Sequence, residues 1–375
     1  MRFGFLTEAT TPKGMTHYHR YHEIIREAEF AEEMGWDFWG TSEQHFAPGA
    51  TTTAPEALYG AVAMRTSRIK LRFMSMLMLK FNHPIRVAER LATIDILSHG
   101  RVELCTARSN NVKTLDPFEV DAEETRAQWR EGLEVTVKAL TEFPMEHDGE
   151  FYKIPPVDVN PRLYRSEIFP ISVVAISPET HTLAGNLGLG CLTNDSYLGW
   201  DHIADLAALY RNAIAKPEPL AKYPVNNSLC FSSLTAHCAT TREKAVEESR
   251  HDATRFFRST MELYDRLAER GTAFAEINMM RKLAEHQEDP LYLMQHTPTL
   301  MIGTPDDIIE QVRRLEALGF DEVCLRTDAL GISKHMQTLE LIGKYVIPEF
   351  RGPNIIRRES MWGDFGVKNI PPYLI

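Results

Sequence analysis

A carboxylate, an amide and an imidazole stand side by side at Glu43-Gln44-His45, followed by Phe46. A histidine beside a glutamate can hold and move a proton near neutral pH. The amide between them donates and accepts hydrogen bonds but cannot titrate. The quartet closes the apolar run from Trp36 to Ser42, which reads as a short buried strand, and it precedes a Pro48-Gly49 turn. In parallel barrels the strand ends that face loops carry the chemistry. The same residues also suit a plain structural role, a histidine hydrogen-bonded to Glu43.

A second group surrounds Ser177-Pro178-Glu179-Thr180. Serine, then proline, then an apolar-periodic segment is a helix N-cap followed by the favoured first helical residue. The free N–H groups and the helix dipole at such a start attract an anion. Ser177 and Thr180 add hydroxyl donors, and Arg108, at the end of another predicted strand, offers a forked cation suited to phosphate. The alternative is that Ser177 only caps the helix and Glu179 already answers its dipole. Other strand ends contribute Ser75-Met76, Ser109-Asn110, Ile176 and Asn194. His17, His19 and His22 lack a carboxylate or cysteine at metal-ligand spacing and read as solvated histidines, so no metal site is expected. Met74, Met76 and Met78 read as core filler. No Gly-x-Ser-x-Gly or Walker-type loop is present, which leaves nucleophilic and nucleotide hydrolysis without support.

The elements that must position these residues alternate along the chain. Strands are predicted at Phe3 to Leu6, Phe38 to Ser42, Ile69 to Met76, Val102 to Ala107, Ile171 to Ala175, Gly190 to Asn194, Asn227 to Ala239 and Phe320 to Leu325. Helices fill the gaps, with stop signals such as Gly35, Gly100 and Gly319. Eight strands alternating with helices predict an α/β fold, a (β/α)8 TIM barrel. The doubly wound open sheet is disfavoured, because no Gly-x-Gly-x-x-Gly follows the first strand. Insertions are expected after several strands. Phe143 to Pro170 reads as an excursion of small turns, and the charged, helical stretch from Thr241 to His296 could hold a mobile lid, from about Arg255. Residues 1–350 read as one barrel domain and 351–375 as a C-terminal surface arm.

Bulk properties narrow the partners. The 375 residues are 43% apolar and 25% charged, in the range of soluble globular proteins, with a net charge of -11. An acidic chain without a basic stripe argues against nucleic acid and anionic membranes. No window approaches the ~18 apolar residues of a membrane span. The N-terminus runs straight into a strand and does not read as a secretory signal. The 5 cysteines include no Cys-x-x-Cys pair and read as reduced, buried thiols of a cytoplasmic protein.

Taken together, several segments resemble the bacterial luciferase-like flavin-dependent monooxygenases. The matching pieces are Arg2-Phe3-Gly4, Glu43-Gln44-His45-Phe46, His83 to Glu89, Asp95 through Gly100-Arg101, Arg108, Val174-Ala175 with Ser177 and Thr180, and Gly303-Thr304-Pro305 through Gly319-Phe320. The resemblance spans the barrel, to about residue 347. It implies a commonly dimeric barrel that binds FMN at its strand ends. Arg108, Ser177, Thr180 and the backbone at Ile176 match positions that hold the FMN phosphate. Ser75-Met76 matches a non-proline cis peptide against the flavin ring, with Val174 and Asn194 nearby.

The function implied is a two-component monooxygenase. A separate flavin reductase supplies reduced FMN, and O2 adds to the flavin C(4a) to give a peroxide that oxygenates a small hydrophobic organic substrate. His45, with Glu43, would set the protonation of that peroxide. The family pattern at the second strand is usually Glu-His-His-Phe, so Gln44 replaces the histidine that is catalytic in luciferase. Two other readings stay open, and Gln44 favours the second. One is a deazaflavin-dependent oxidoreductase of the same superfamily. The other is a non-catalytic flavin-binding or partner subunit.

Overall fold

A computed structural model describes residues 1–351 apart from 9, 47–48, 110–111 and 270–281. Pro48, Asn110, most of the C-terminal arm and the middle of the stretch read as a lid therefore lie outside the described residues.

Eight parallel strands close into a barrel in the order β1 (Arg2–Thr7), β12 (Glu322–Arg326), β9 (Leu229–Ser233), β8 (Gly190–Thr193), β7 (Ile171–Val174), β4 (Val102–Ala107), β3 (Lys70–Leu77) and β2 (Phe38–Thr41). Strands such as β4, buried at all six positions, pack inward on the lumen and outward on helices. The helices after β2, β3 and β7, at Pro55–Arg65, Pro84–Leu97 and Pro178–Asn186, each begin on proline, whose fixed φ suits a first helical residue. The helix Pro305–Ala317 adds a full capping box, in which Thr304 and Asp307 exchange hydrogen bonds between side chain and backbone.

The lumen is filled in layers. At its floor, Arg2 and Arg72 meet Glu103 and Glu322. Arg72 Nη1 lies 2.6 Å from Glu322, and Arg2 Nη2 lies 2.7 Å from Glu103. Above the floor an apolar layer joins Leu6, Phe38, Met74, Cys105, Leu192, Cys230 and Cys324, with Val174 packed against it. Gly4 makes room for this layer, since a Cβ there would sit 2.0 Å from the Phe38 ring. The Arg72 guanidinium lies 3.8 Å over the same ring. The floor and the apolar layer fill the lumen, which leaves the C-terminal end of the strands for chemistry.

Three expectations change. The predicted seventh strand, Asn227 to Ala239, is two strands. It breaks at Leu234, whose carbonyl accepts from Arg326 Nη1 at 2.8 Å and whose N–H donates to Thr299 O at 2.9 Å. Beyond the break, β10 (Thr235–Cys238) leaves the barrel and pairs in parallel with β11 (Leu300–Gly303). β11 is a four-residue apolar run that periodicity alone does not distinguish from helix. Finally, the excursion after residue 143 contains an antiparallel pair, β5 (Met145–Asp148) and β6 (Lys153–Val157), pinned by Glu131, which accepts from the backbone N–H of Phe151 and Tyr152. Among the described residues no helix is long and apolar enough to cross a membrane.

Candidate active site

Past Thr41 the alternation of β2 continues, and it divides the Glu43-Gln44-His45 group between two neighbourhoods. Glu43 and His45 share one side. His45 Nε2 lies 2.9 Å from Glu43 Oε1, which also accepts from Asn82 Nδ2 at 2.8 Å. Glu43 Oε2 accepts from the Leu77 backbone N–H at 3.1 Å, which ties the end of β2 to β3. The His45 ring stands edge-on to Phe118, at 5.0 Å and 86°, and Phe118 stacks on Phe81 at 4.2 Å. Asn82 in turn accepts from Arg90, and Arg90 pairs with Glu56 at 3.4 Å. These groups and Met76 line a cavity of about 200 Å³, aromatic on one wall and polar on the other.

Gln44 turns to the other side. Its Nε2 donates to Glu8 Oε2 and lies 3.3 Å from Ser42 Oγ. Its backbone N–H donates to Thr52 O at 3.2 Å. Glu8 was missed by the sequence reading, which ended the first strand at Leu6. The signal was available: Arg2, Gly4 and Leu6 face the lumen, and a period of two puts Glu8 next in that row. Burial pushes the Glu8 carboxyl above the usual carboxylate range and the like charge of Asp328 adds to this, against the pull of Arg326.

The second group forms where β4 and β7 lie side by side. Ser177 caps the helix Pro178–Asn186, its Oγ accepting from Thr180 N–H at 3.3 Å, and the two hydroxyls are 3.1 Å apart. Ser177 thus caps the helix, and its hydroxyl lies beside that of Thr180. Arg108 follows β4 and donates one hydrogen bond, to Thr125 Oγ1 at 3.2 Å, among the described residues. Burial and the neighbouring Arg126 lower its proton affinity, and Glu179 opposes them. Arg126 and Glu179 themselves pair at 3.5 Å. A guanidinium has five N–H donors, so this one keeps donors for an anion. His181 donates from Nδ1 to Ser177 O at 2.9 Å, while its buried Nε2 has no hydrogen-bond partner among the described residues. Burial pushes its pKa down to about 4, so it stays neutral and adds no charge to the cradle. Ile176, immediately before the cap, is 37% exposed.

The expected cis peptide at Ser75-Met76 is not present. The cis bonds among the described residues are Phe143-Pro144 and Asn160-Pro161. Ser75 instead takes φ of +106°, where the register of β3 against β4 shifts between Met74 and Met76. A bulge with positive φ thus stands where the cis bond was expected. Phe46, Ser196 and Tyr197, after β2 and β8, also have positive φ, so uncommon backbone gathers at this end of the barrel. Asn194 is committed to its own loop, its Oδ1 accepting from Ser196 N–H at 3.0 Å and Ser196 Oγ at 2.8 Å. Val174 tops the apolar layer of the lumen. The candidate site thus comprises the capped helix start after β7 with Arg108 at the end of the neighbouring β4, an apolar floor, a Glu8–Gln44 pair at β1 and β2, and the cavity beside His45.

Comparison with known proteins identifies the family and the fold. Residues 1–322 match the family model described as "Luciferase-like monooxygenase". The chain is 25% identical to 4-hydroxyprotoasukamycin monooxygenase of Streptomyces nodosus subsp. asukaensis, over 87% of this chain and 85% of that one. It is 24% identical to the oxygenase component of the flavin-dependent trigonelline monooxygenase of Acinetobacter baylyi, over 91% and 92%. Among solved structures, the oxygenating constituent of 3,6-diketocamphane monooxygenase from Pseudomonas putida, in complex with FMN, superposes with a TM-score of 0.75 at 20% identity, over 93% of this chain and 98% of that one. The matched model covers most of the barrel, and the chain belongs to the luciferase-like monooxygenase family.

Proposed function

We propose that the protein is the oxygenase component of a two-component flavin-dependent monooxygenase. It takes reduced FMN from a separate flavin reductase and, with O2, oxygenates a small hydrophobic organic substrate. The observation that carries the reading is the cradle of Arg108, Ser177 and Thr180. It combines a helix start, two hydroxyls and a cation with unused donors, and these fit the terminal phosphate of FMN. The relatives named above, monooxygenases with a flavin-dependent oxygenase component among them, favour the same chemistry.

Bound reduced flavin would supply the activation of molecular oxygen. The chain's own residues do the rest. Arg108, Ser177, Thr180 and the backbone at Ile176 hold the phosphate and so fix the position of the ring. Val174, Met76 and the bulge at Ser75 would hold the flavin ring, with Asn194 ordering the loop beside them. His45, held by Glu43, stands with Phe81 and Phe118 at the wall of the cavity and orients the substrate there. The aromatic rings exclude water from that side. Gln44 faces the mouth of the barrel and donates hydrogen bonds without changing charge. The reading extends to a homodimer in the cytoplasm; the five cysteines are free and buried, in keeping with a reducing compartment.

The test is turnover with chemically reduced FMN under labelled dioxygen and a panel of aldehydes, ketones, terpenes and aromatic substrates. One labelled oxygen atom in the product supports the reading. Turnover without oxygen, using a deazaflavin in place of FMN, would replace it with hydride transfer. Flavin binding without any product would leave a carrier or partner subunit.

A further inference from the structure

We propose that the carboxyl of Glu8, with Gln44 as its non-titrating partner, is the acid–base group of this site. The inference rests on the monooxygenase reading for the reaction served, while the chemistry of Glu8 itself stands on the geometry.

Three observations lead to it. The first is position: Glu8 directly follows β1 and continues the row Arg2, Gly4, Leu6 that lines the lumen, so it is the first group of that row above the apolar layer. Next come its partners. Gln44 Nε2 and Ser42 Oγ, the latter at 3.4 Å, both reach Oε2, and both are neutral donors. Among the described residues Oε1 makes no hydrogen bond and Glu8 enters no ion pair. The third is the charge around it. Arg326 and Asp328, from β12 and the turn after it, face Glu8 with opposite signs. Arg326 is already engaged by Asp252 and Asp328, at 3.8 Å each, and by Leu234 O at 2.8 Å. Asp328 is itself drawn to Arg20 at 3.4 Å, and Asp252 to Arg255 at 2.5 Å. Arg326 is thus shared among several acceptors, Asp328 opposes its pull on Glu8, and the half-buried position of Glu8 favours its acid form, in the direction its raised pKa also indicates.

The glutamine at 44 follows from the same logic. A histidine in that place would share the proton with Glu8 and settle as an imidazolium–carboxylate pair, locking the carboxyl in its ionised form. An amide matches both states. Its Nε2 donates to the carboxylate, and turned over, its Oε1 accepts from the acid. The pair therefore keeps a hydrogen bond while the proton leaves and returns. In the reaction, the acid gives its proton to an oxygen gaining negative charge at the barrel mouth. The resulting carboxylate is held by Gln44 and Ser42, and a proton from water restores it.

The experiment compares wild type, E8Q, E8D and Q44H. The carboxylic-acid C=O stretch is read by infrared difference spectroscopy on flavin-free protein near neutral pH. FMN affinity and the pH profile of kcat/KM are read on the holoenzyme. The expected result is an acid band in wild type that is absent from E8Q and lost or moved to lower pH in Q44H. FMN affinity should stay within about twofold in E8Q, while kcat/KM falls by the 10²–10⁴ typical of a lost acid–base group and one limb of the profile disappears. E8D, which keeps the carboxyl, should restore part of the rate and the limb. An E8Q protein that keeps the band, or keeps the limb, overturns the proposal. Absence of turnover in wild type would overturn the monooxygenase reading instead, and the band alone would still decide for or against an acid at Glu8.

Discussion

Arg108→Ala separates phosphate recognition from every other contribution to flavin binding. Among the described residues the guanidinium makes one hydrogen bond, at 3.2 Å to Thr125. A hydrogen bond between charged groups contributes about 1.5–3 kcal/mol net. Arg108 is exposed in the flavin-free chain, so screening by water places the effect toward the lower figure. At 1.4 kcal/mol per decade, this corresponds to FMN affinity weakened by about 10- to 150-fold, with the lower decade expected. Riboflavin lacks the phosphate, and its affinity should change less than about twofold. Arg108→Lys keeps the charge without the fork and should fall between. Fold stability should move by no more than about 0.5 kcal/mol, because an exposed side chain with one long hydrogen bond is lost, and repulsion with Arg126 is relieved. The assay is quenching of flavin fluorescence on titration, with both ligands and all three proteins. Equal weakening of FMN and riboflavin, or no weakening of either, would refute the placement of the phosphate at this cradle.

Ser177→Ala removes a helix N-cap and should lower stability by about 1 kcal/mol in urea unfolding, with further loss of FMN affinity but little of riboflavin affinity. Glu322→Gln leaves the buried Arg72 short of a counter-charge and should destabilise by about 3–5 kcal/mol, read as a lower denaturant midpoint. Burial raises the Glu322 pKa, but Arg72 and Arg2 outweigh it and hold the group at about 2. A depressed carboxylate stabilises the fold above its ordinary pKa near 4.5, and that contribution is lost as pH falls toward about 2. Wild type should therefore lose stability steeply across that window, while E322Q, already weaker, should show a shallower acid limb. Gly4→Ala places a Cβ 2.0 Å from the Phe38 ring and should abolish soluble expression or lower Tm sharply, whereas Gly14→Ala, which meets nothing within 4 Å, tests only the cost of its φ of +88°.

Local chemistry was enough to read much of this protein from its residues. The alternation of strand and helix is written in hydrophobic period and in proline and glycine punctuation, and among the described residues the eight barrel strands follow it, while the split at Leu234, the short strand β11 and the β5–β6 pair do not. The cradle was legible for a similar reason. Capping is a property of four consecutive residues, and Ser177-Pro178-Glu179-Thr180 specifies a helix start wherever the segment sits. Arg108 could be added because a closed parallel barrel gathers its strand ends on one face.

What folding decided is which groups meet. Glu43, Gln44 and His45 looked like one unit in the chain, but a period of two sends Gln44 to Glu8 and Ser42 while His45 stays with Glu43, Phe81 and Phe118. Glu8 and Gln44 are separated by most of a strand–helix–strand unit, and only the parallel pairing of β1 with β2 brings them together. The protonation of Glu8 depends on burial and on the opposed charges of Arg326 and Asp328, residues far from it in sequence. Helix starts and strand runs are set by neighbours along the chain. The electrostatics of a barrel mouth are set by neighbours across it, and those exist only once the barrel has closed.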